Sequence, residues 1–414
     1  MSNTNAIPSN QTSYRYVSAF LAFATQVGLA MTLGMLSPLG PYIREALNMN
    51  FTQFGLLFTF ANGGTMVMLW ITGPLVDKFG VRKVLLTGLI AMGFVIFIAG
   101  RTNAAVQLMG MELLVGITQS VAGPTGTKMV STWFDSKERG TMLGVKQAGI
   151  PVASIIAGAV LPSICAAVGW RGAFNAVSVL LFALAVITAL LYRDSDVMKE
   201  MLANNQSASR TRLRDVAGDV FTKDQILLAV GCMLLMGAQF VVSSNMSNYL
   251  SANALASLGD NARIVAGSVY SIACVAGVIG RVVFGMIADK KKAPKQTIMG
   301  MNVFAVIILF VIAFKGTTLS TTGAYVIFFL YGLTAFAFTG IQLALAADLT
   351  TMRAIGSAAS FTLSLGFAGM MIMPPIFGAV VDANGFTAGY IFLAIASIVG
   401  LAILIPIQGK KVAE

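Results

Sequence analysis

The chain has 414 residues, 57% of them hydrophobic and only 10% charged, and its formal net charge is +11. A charged fraction so far below the roughly 25% of soluble domains excludes a soluble globular protein. There is no histidine, which excludes histidine proton relays, histidine-based triads and most transition-metal sites; Cys165, Cys232 and Cys274 lie singly in separate apolar stretches without metal or redox spacing.

Residues 1–14 are polar and show neither a basic n-region nor a cleavage site, so no signal peptide is expected and the first apolar segment directs insertion. Apolar runs follow at 17–43, 51–76, 81–100, 104–132, 139–164, 171–192, 224–250, 263–288, 297–315, 323–347, 354–381 and 386–407. Each is long enough to cross about 30 Å of hydrocarbon. Lipid-facing backbone must satisfy its own hydrogen bonds, so these twelve spans are read as helices. The polar stretch 193–223 is the long hydrophilic break. It divides the chain into residues 1–192 with six spans, a connector, and residues 224–414 with six more. An amphipathic helix is expected around residues 210–220 of the connector, and 204–209 is its most flexible part.

With the N-terminus inside, nineteen of the 27 Lys and Arg residues fall on the connector's side of the membrane. Five lie in the opposite loops (Arg44, Arg101, Arg171, Arg263 and Lys315), and three within spans (Lys128, Lys146 and Arg281). This bias puts both termini in the cytoplasm and explains the basic charge without nucleic acid.

Between spans 2 and 3 the sequence reads Gly73-Pro74-Leu75-Val76-Asp77-Lys78-Phe79-Gly80-Val81-Arg82-Lys83. A degraded copy, Gly285-Met286-Ile287-Ala288-Asp289-Lys290-Lys291-Lys292, recurs half a chain later. The pattern G-x-L-x-D-x-x-G-x-R-K resembles the signature loop of the major facilitator superfamily of transporters, and the resemblance covers essentially the whole chain. It implies an all-α membrane protein of two pseudo-symmetric six-helix bundles, with the substrate site between them near mid-membrane. Spans 1, 4, 7 and 10 would line the cavity; spans 2, 5, 8 and 11 would form the contacts between bundles. It also implies a multi-pass carrier of the cytoplasmic (inner) membrane, monomeric by family default, with no cofactor, no metal and no enzymatic activity. Asp77, Arg82 and Asp289 would form the cytoplasmic gate, Asp77 pairing with Arg82 and with the start of span 11 at residues 353–357. Lys78, Arg82 and Lys83 also set topology. Glycines and prolines in span 5 (Gly140, Gly144, Pro151, Gly158) and span 11 (Gly366, Gly369, Pro374, Pro375, Gly378) suit close helix packing, and also a point of bending.

Charge inside a span is costly and marks ion or substrate paths. Arg281, in Gly280-Arg281-Val282-Val283-Phe284-Gly285 of span 8, resembles the arginine that engages substrate carboxylate in the oxalate–formate antiporter and monocarboxylate transporters. The other reading is an anchor that snorkels to the inner surface. Lys146 lies two turns into span 5, at similar depth. Two facing cations repel unless an anion lies between them. The oxalate–formate antiporter carries its second cation on span 11, which has no lysine here. Glu112 of span 4 is the one acid deep inside a span. Burial disfavours the charged form of a carboxyl, so it is a candidate for proton coupling or a structural partner. Gln239, Ser243, Asn245 and Tyr331 are softer substrate-binding candidates, with Gln26, Gln119, Asn248 and Gln342; helix-to-helix hydrogen bonding is the alternative for each. Lys128 is read as snorkelling to the surface.

These residues point to a secondary transporter of a small organic anion, a mono- or dicarboxylate, coupled to a proton or to exchange with a second anion. No G-x-x-x-x-G-K-[ST] loop for nucleotide is present. The rival is a proton-coupled multidrug exporter, which Met- and Phe-rich spans permit and two deep cations disfavour.

Overall fold

The computed structural model describes residues 14–135, 138–203, 218, 220–351 and 354–407. Most of the expected connector helix, and Arg353 of the expected gate, lie outside the described residues. Among those described, every regular element is helical. Ten stretches are long and apolar enough to cross a membrane. Eight match single spans; the other two are the joined spans 5–6 and 11–12.

The joined helices, Gly149–Leu191 and Ile355–Leu404, have 43 and 50 residues, or about 65 and 75 Å at 1.5 Å per residue, more than twice a bilayer core. Each is interrupted by a glycine in extended backbone with positive φ: Gly169 (φ 76, ψ 167) and Gly385 (φ 77, ψ 174). Only glycine occupies that region readily. The chain doubles back at Gly385, because the rings of Phe377 and Tyr390 lie 6.0 Å apart. Thirteen residues of straight helix would separate them by about 20 Å. Counting each joined helix as two spans gives the twelve read from the sequence.

Several spans are broken, and proline explains where. A proline removes the hydrogen bond to the carbonyl four residues back and clashes with it. Span 1 is Tyr14–Gly34 then Leu36–Ala46, with Pro38 four residues after Gly34. Span 4 is Ala105–Gln119 then Ala122–Trp133, with Pro124 four after Ser120. Span 5 starts as Arg139–Gln147 and resumes at Gly149, with Pro151 four after Gln147. Span 10 breaks between Thr321–Ala335 and Thr339–Asp348 without a proline.

Buried apolar side chains form two large clusters, one running from Ala19 to Met198 and the other from Leu228 to Ile407. They are the cores of two bundles, spans 1–6 and spans 7–12. The bundles meet in the half of the molecule away from the connector, called here the far end. Spans 5 and 8 approach backbone to backbone there, with no room for a side chain at Gly158 or Gly267; the Ser271 hydroxyl donates to the Ile155 carbonyl at 2.8 Å. Spans 1 and 7 join through Ser37 Oγ and the Ser243 carbonyl at 2.6 Å. Spans 2 and 11 join through Thr59 Oγ1 and the Met371 carbonyl at 2.6 Å.

At the extreme far end the Asp382 carboxylate accepts from Phe51 N (2.9 Å), Thr52 N (2.8 Å) and Thr52 Oγ1 (2.6 Å). It caps the first turn of span 2 from the other bundle. Arg44 stacks 3.3 Å above the Phe51 ring, and Arg263 pairs with Glu45. Towards the connector the same spans part: Gly144 of span 5 and Gly285 of span 8 have nothing within 4 Å of where a side chain would begin. Among the described residues, the hydrogen bonds and ion pairs that join the two bundles all lie at the far end, and the connector end is the parted one.

Candidate functional site

Arg281 sits on the part of span 8 that has separated from span 5, and its side chain is exposed. Its Nε donates to the Phe336 carbonyl at 3.1 Å. That carbonyl is free because span 10 is broken at this point. Tyr331 packs on the Phe336 ring with centroids 5.8 Å apart, so Arg281 and Tyr331 both rest on Phe336, one on its carbonyl and the other on its ring. Among the described residues Arg281 has no carboxylate partner.

Lys146 lies in the last turn of the first helix of span 5 and is 4% exposed. Its stem packs against Gly126 of span 4, and its ammonium makes one hydrogen bond, to Gln147 Oε1 at 3.2 Å. It too has no ion pair among the described residues. The two cations belong to different bundles, and no direct contact joins them in this open state.

Glu112 is fully buried in span 4, and neither carboxyl oxygen has a hydrogen-bond partner. An ionised carboxylate so placed carries a heavy desolvation cost. Two turns further along span 4, Gln119 accepts a hydrogen bond from Thr32 of span 1 at 3.0 Å. Gln239 is half-buried with an unpartnered Oε1. Asn245 is spent on local bonds to the Val241 carbonyl (3.3 Å) and Ser244 Oγ (3.2 Å). Asn248 and Gln342 are buried with no side-chain partner.

The expected gate is arranged differently from its sequence reading. Asp77 pairs with Lys128 of span 4 at 2.5 Å rather than with Arg82. Lys128, expected to snorkel, is held by this pair; Pro124 breaks span 4 just before it and turns its last helix towards the end of span 2. Arg82 instead donates from Nη2 to the Ala189 carbonyl at 2.7 Å and from its backbone N–H to Asp194 at 3.4 Å. Asp194 lies on the connector, and burial pushes its carboxyl above the usual range, partly offset by that backbone bond. Asp289 is exposed and makes no ion pair among the described residues.

Two features escape sequence reasoning. Asp382 stands where an acid at a span end draws no notice, although it mirrors Asp77 at the end of span 2. Tyr270 of span 8 places its hydroxyl against Ser154, Ser243 and Cys274. The spacing Tyr270, Cys274, Arg281 along one helix face was the available signal.

Two helix bundles, shut together at one end and parted at the other around an unpaired cation, define a membrane transporter. The family model of the Major Facilitator Superfamily matches residues 22–372, and the chain belongs to that family. The hexuronate transporter of Bacillus subtilis (strain 168) is 25% identical over 398 residues, covering 91% of each chain. The probable L-galactonate transporter of Escherichia coli (strain K12) is 28% identical over 154 residues, 37% of this chain and 34% of that one. These relatives are named for sugar acids, not for oxalate or formate. Among solved structures, a mutant form of the nucleoside transporter NupG superposes with a TM-score of 0.76 at 15% identity, over 94% of this chain and 98% of that one, which shows the fold.

Proposed function

We propose that this chain carries a small organic anion of the sugar-acid class across the cytoplasmic membrane by alternating access, coupled to a proton or to a counter-anion. The observation that carries the reading is Arg281: a permanent cation, exposed where the bundles part, whose hydrogen-bond partner is a neutral carbonyl. A guanidinium matches a carboxylate with two parallel bonds. Lys146, buried without an acid, supplies the second positive charge as the bundles close. The sugar-acid names of the relatives agree in charge and size. Glu112, buried and unpartnered, is the coupling group in this reading. Asp77, Arg82 and Asp289 form the connector-end gate, and the positive-inside bias makes the open end the cytoplasmic one.

The test is uptake of radiolabelled galacturonate by proteoliposomes. Loss of charge-assisted hydrogen bonds is worth about 1.5–3 kcal/mol, so Arg281→Ala should cut affinity roughly 10–100-fold while the protein still inserts. Unchanged uptake removes Arg281 from the site. In the same vesicles Glu112→Gln should abolish accumulation driven by a proton gradient and spare exchange; normal accumulation excludes it as the coupling group. Wild-type protein that moves a lipophilic cation and no carboxylate would establish the drug-exporter alternative.

A further inference from the structure

Tyr270, Cys274 and Arg281 lie on one face of span 8, since steps of four and seven residues return a helix to the same side. Arg281 marks the open end of that face. At the other end the Tyr270 ring reaches across to span 5, its edge 2.8 Å from where a side chain on Gly158 would begin. The hydroxyl lies against Ser154 of span 5, Ser243 of span 7 and the Cys274 thiol. Ser154 Oγ is in turn 3.3 Å from the Cβ position of Gly34 on span 1. The Ser243 carbonyl is held by Ser37 Oγ at 2.6 Å. Spans 5 and 7, one from each bundle, therefore meet at the span 8 phenol, with span 1 packed behind both serines, at the level where the bundles come together. Tyr270 is 3% exposed, whereas Ser154 and Ser243 are half-buried.

We infer that Tyr270, with Ser154 and Ser243, forms a hydroxyl-binding pole of the substrate site opposite Arg281, so that the preferred ligand is a polyhydroxylated acid rather than a short monocarboxylate. The inference rests on the anion reading above and adds the far pole to it. From Cys274, which the phenol touches, to Arg281 the helix rises about 10 Å. The Arg281 stem leans towards the helix N-terminus, which is towards Tyr270. A carboxylate on Arg281 would then present its distal hydroxyls to a phenol and two serine hydroxyls, each able to donate and accept. Because Ser154 and Ser243 belong to different bundles, a ligand held there touches both, as a carrier that closes around its cargo requires.

The experiment is proteoliposome uptake of galacturonate, with lactate as a three-carbon competitor. Tyr270→Phe should raise the galacturonate KM about tenfold, the value of one hydrogen bond of about 1.4 kcal/mol, and leave competition by lactate nearly unchanged. Arg281→Ala should weaken both. An unchanged galacturonate KM in Tyr270→Phe overturns the hydroxyl pole and leaves the anion reading standing. Wild-type protein that takes up no carboxylate overturns the anion reading, and the pole falls with it. If Tyr270→Phe fails to fold, Ser154→Ala is measured in the same way, together with the wild-type preference for galacturonate over lactate. A preference of tenfold or more supports the pole, and equal affinities overturn it.

Discussion

Span 2 and span 11 each finish with an acid, Asp77 and Asp382, and the two acids are engaged differently. Asp382 crosses to the other bundle and takes three hydrogen bonds from the first turn of span 2. Among the described residues, Asp77 pairs within its own bundle, with Lys128. The far end thus shows the latch that family resemblance led one to expect at the connector end. A carboxylate at a helix N-terminus gains from backbone donors and from the helix dipole. A pair such as Asp77–Lys128, part-exposed on both sides, is worth at most about 1 kcal/mol. The contrast teaches that a carrier with two similar ends can commit one acid at a time, and that the committed acid marks the closed side.

The largest effect is expected from Gly378→Leu. Gly378 of span 11 lies against the Phe51 carbonyl with no space for a side chain, and overpacking against backbone costs about 3 kcal/mol or more. Distances between spin labels across the far end should shift to the open state by over a hundredfold in population; an unshifted distribution would mean that this contact does not hold the end shut. Asp382→Asn comes next. The neutral amide keeps one acceptor and turns a donor towards the N–H groups, so about 1.5–3 kcal/mol is lost and the far-end-open population rises roughly 10–100-fold. The smallest effect is expected from Asp77→Asn, less than about fivefold at the far end in this state. If it moved the far-end distances as much as Asp382→Asn, the two acids could not be acting separately.

Much of the frame was readable in advance. Apolar length set the spans; the breaks were less legible, because Pro38, Pro124 and Pro151 follow breaks while Pro41, Pro74, Pro162, Pro374 and Pro375 lie within continuous helix. The break in span 10 was not readable, because nothing in Phe336-Ala337-Phe338 forbids a helix; its freed carbonyl is taken by Arg281, a partner 55 residues away. At the site, Arg281, Lys146 and Glu112 stood out because charge within an apolar run is costly wherever it falls. Tyr270 did not, since a tyrosine is at home in such a run and its significance comes from spans 5 and 7, which meet it. Asp382 was hidden for a related reason: its donors are more than three hundred residues earlier in the chain. The oxalate–formate likeness rested on one arginine and its glycines, too short a pattern to fix a substrate.

The single-residue connections at Gly169 and Gly385 leave almost no slack between the helices they join. Span 11, which carries Asp382 and Gly378, cannot shift without dragging span 12 along. The moving part is therefore a hairpin, and its outer arm offers a place to watch gating from outside the transport path. Ile395 and Ile398 on span 12 are exposed. A fluorophore on either should follow opening and closing while leaving cargo recognition untouched.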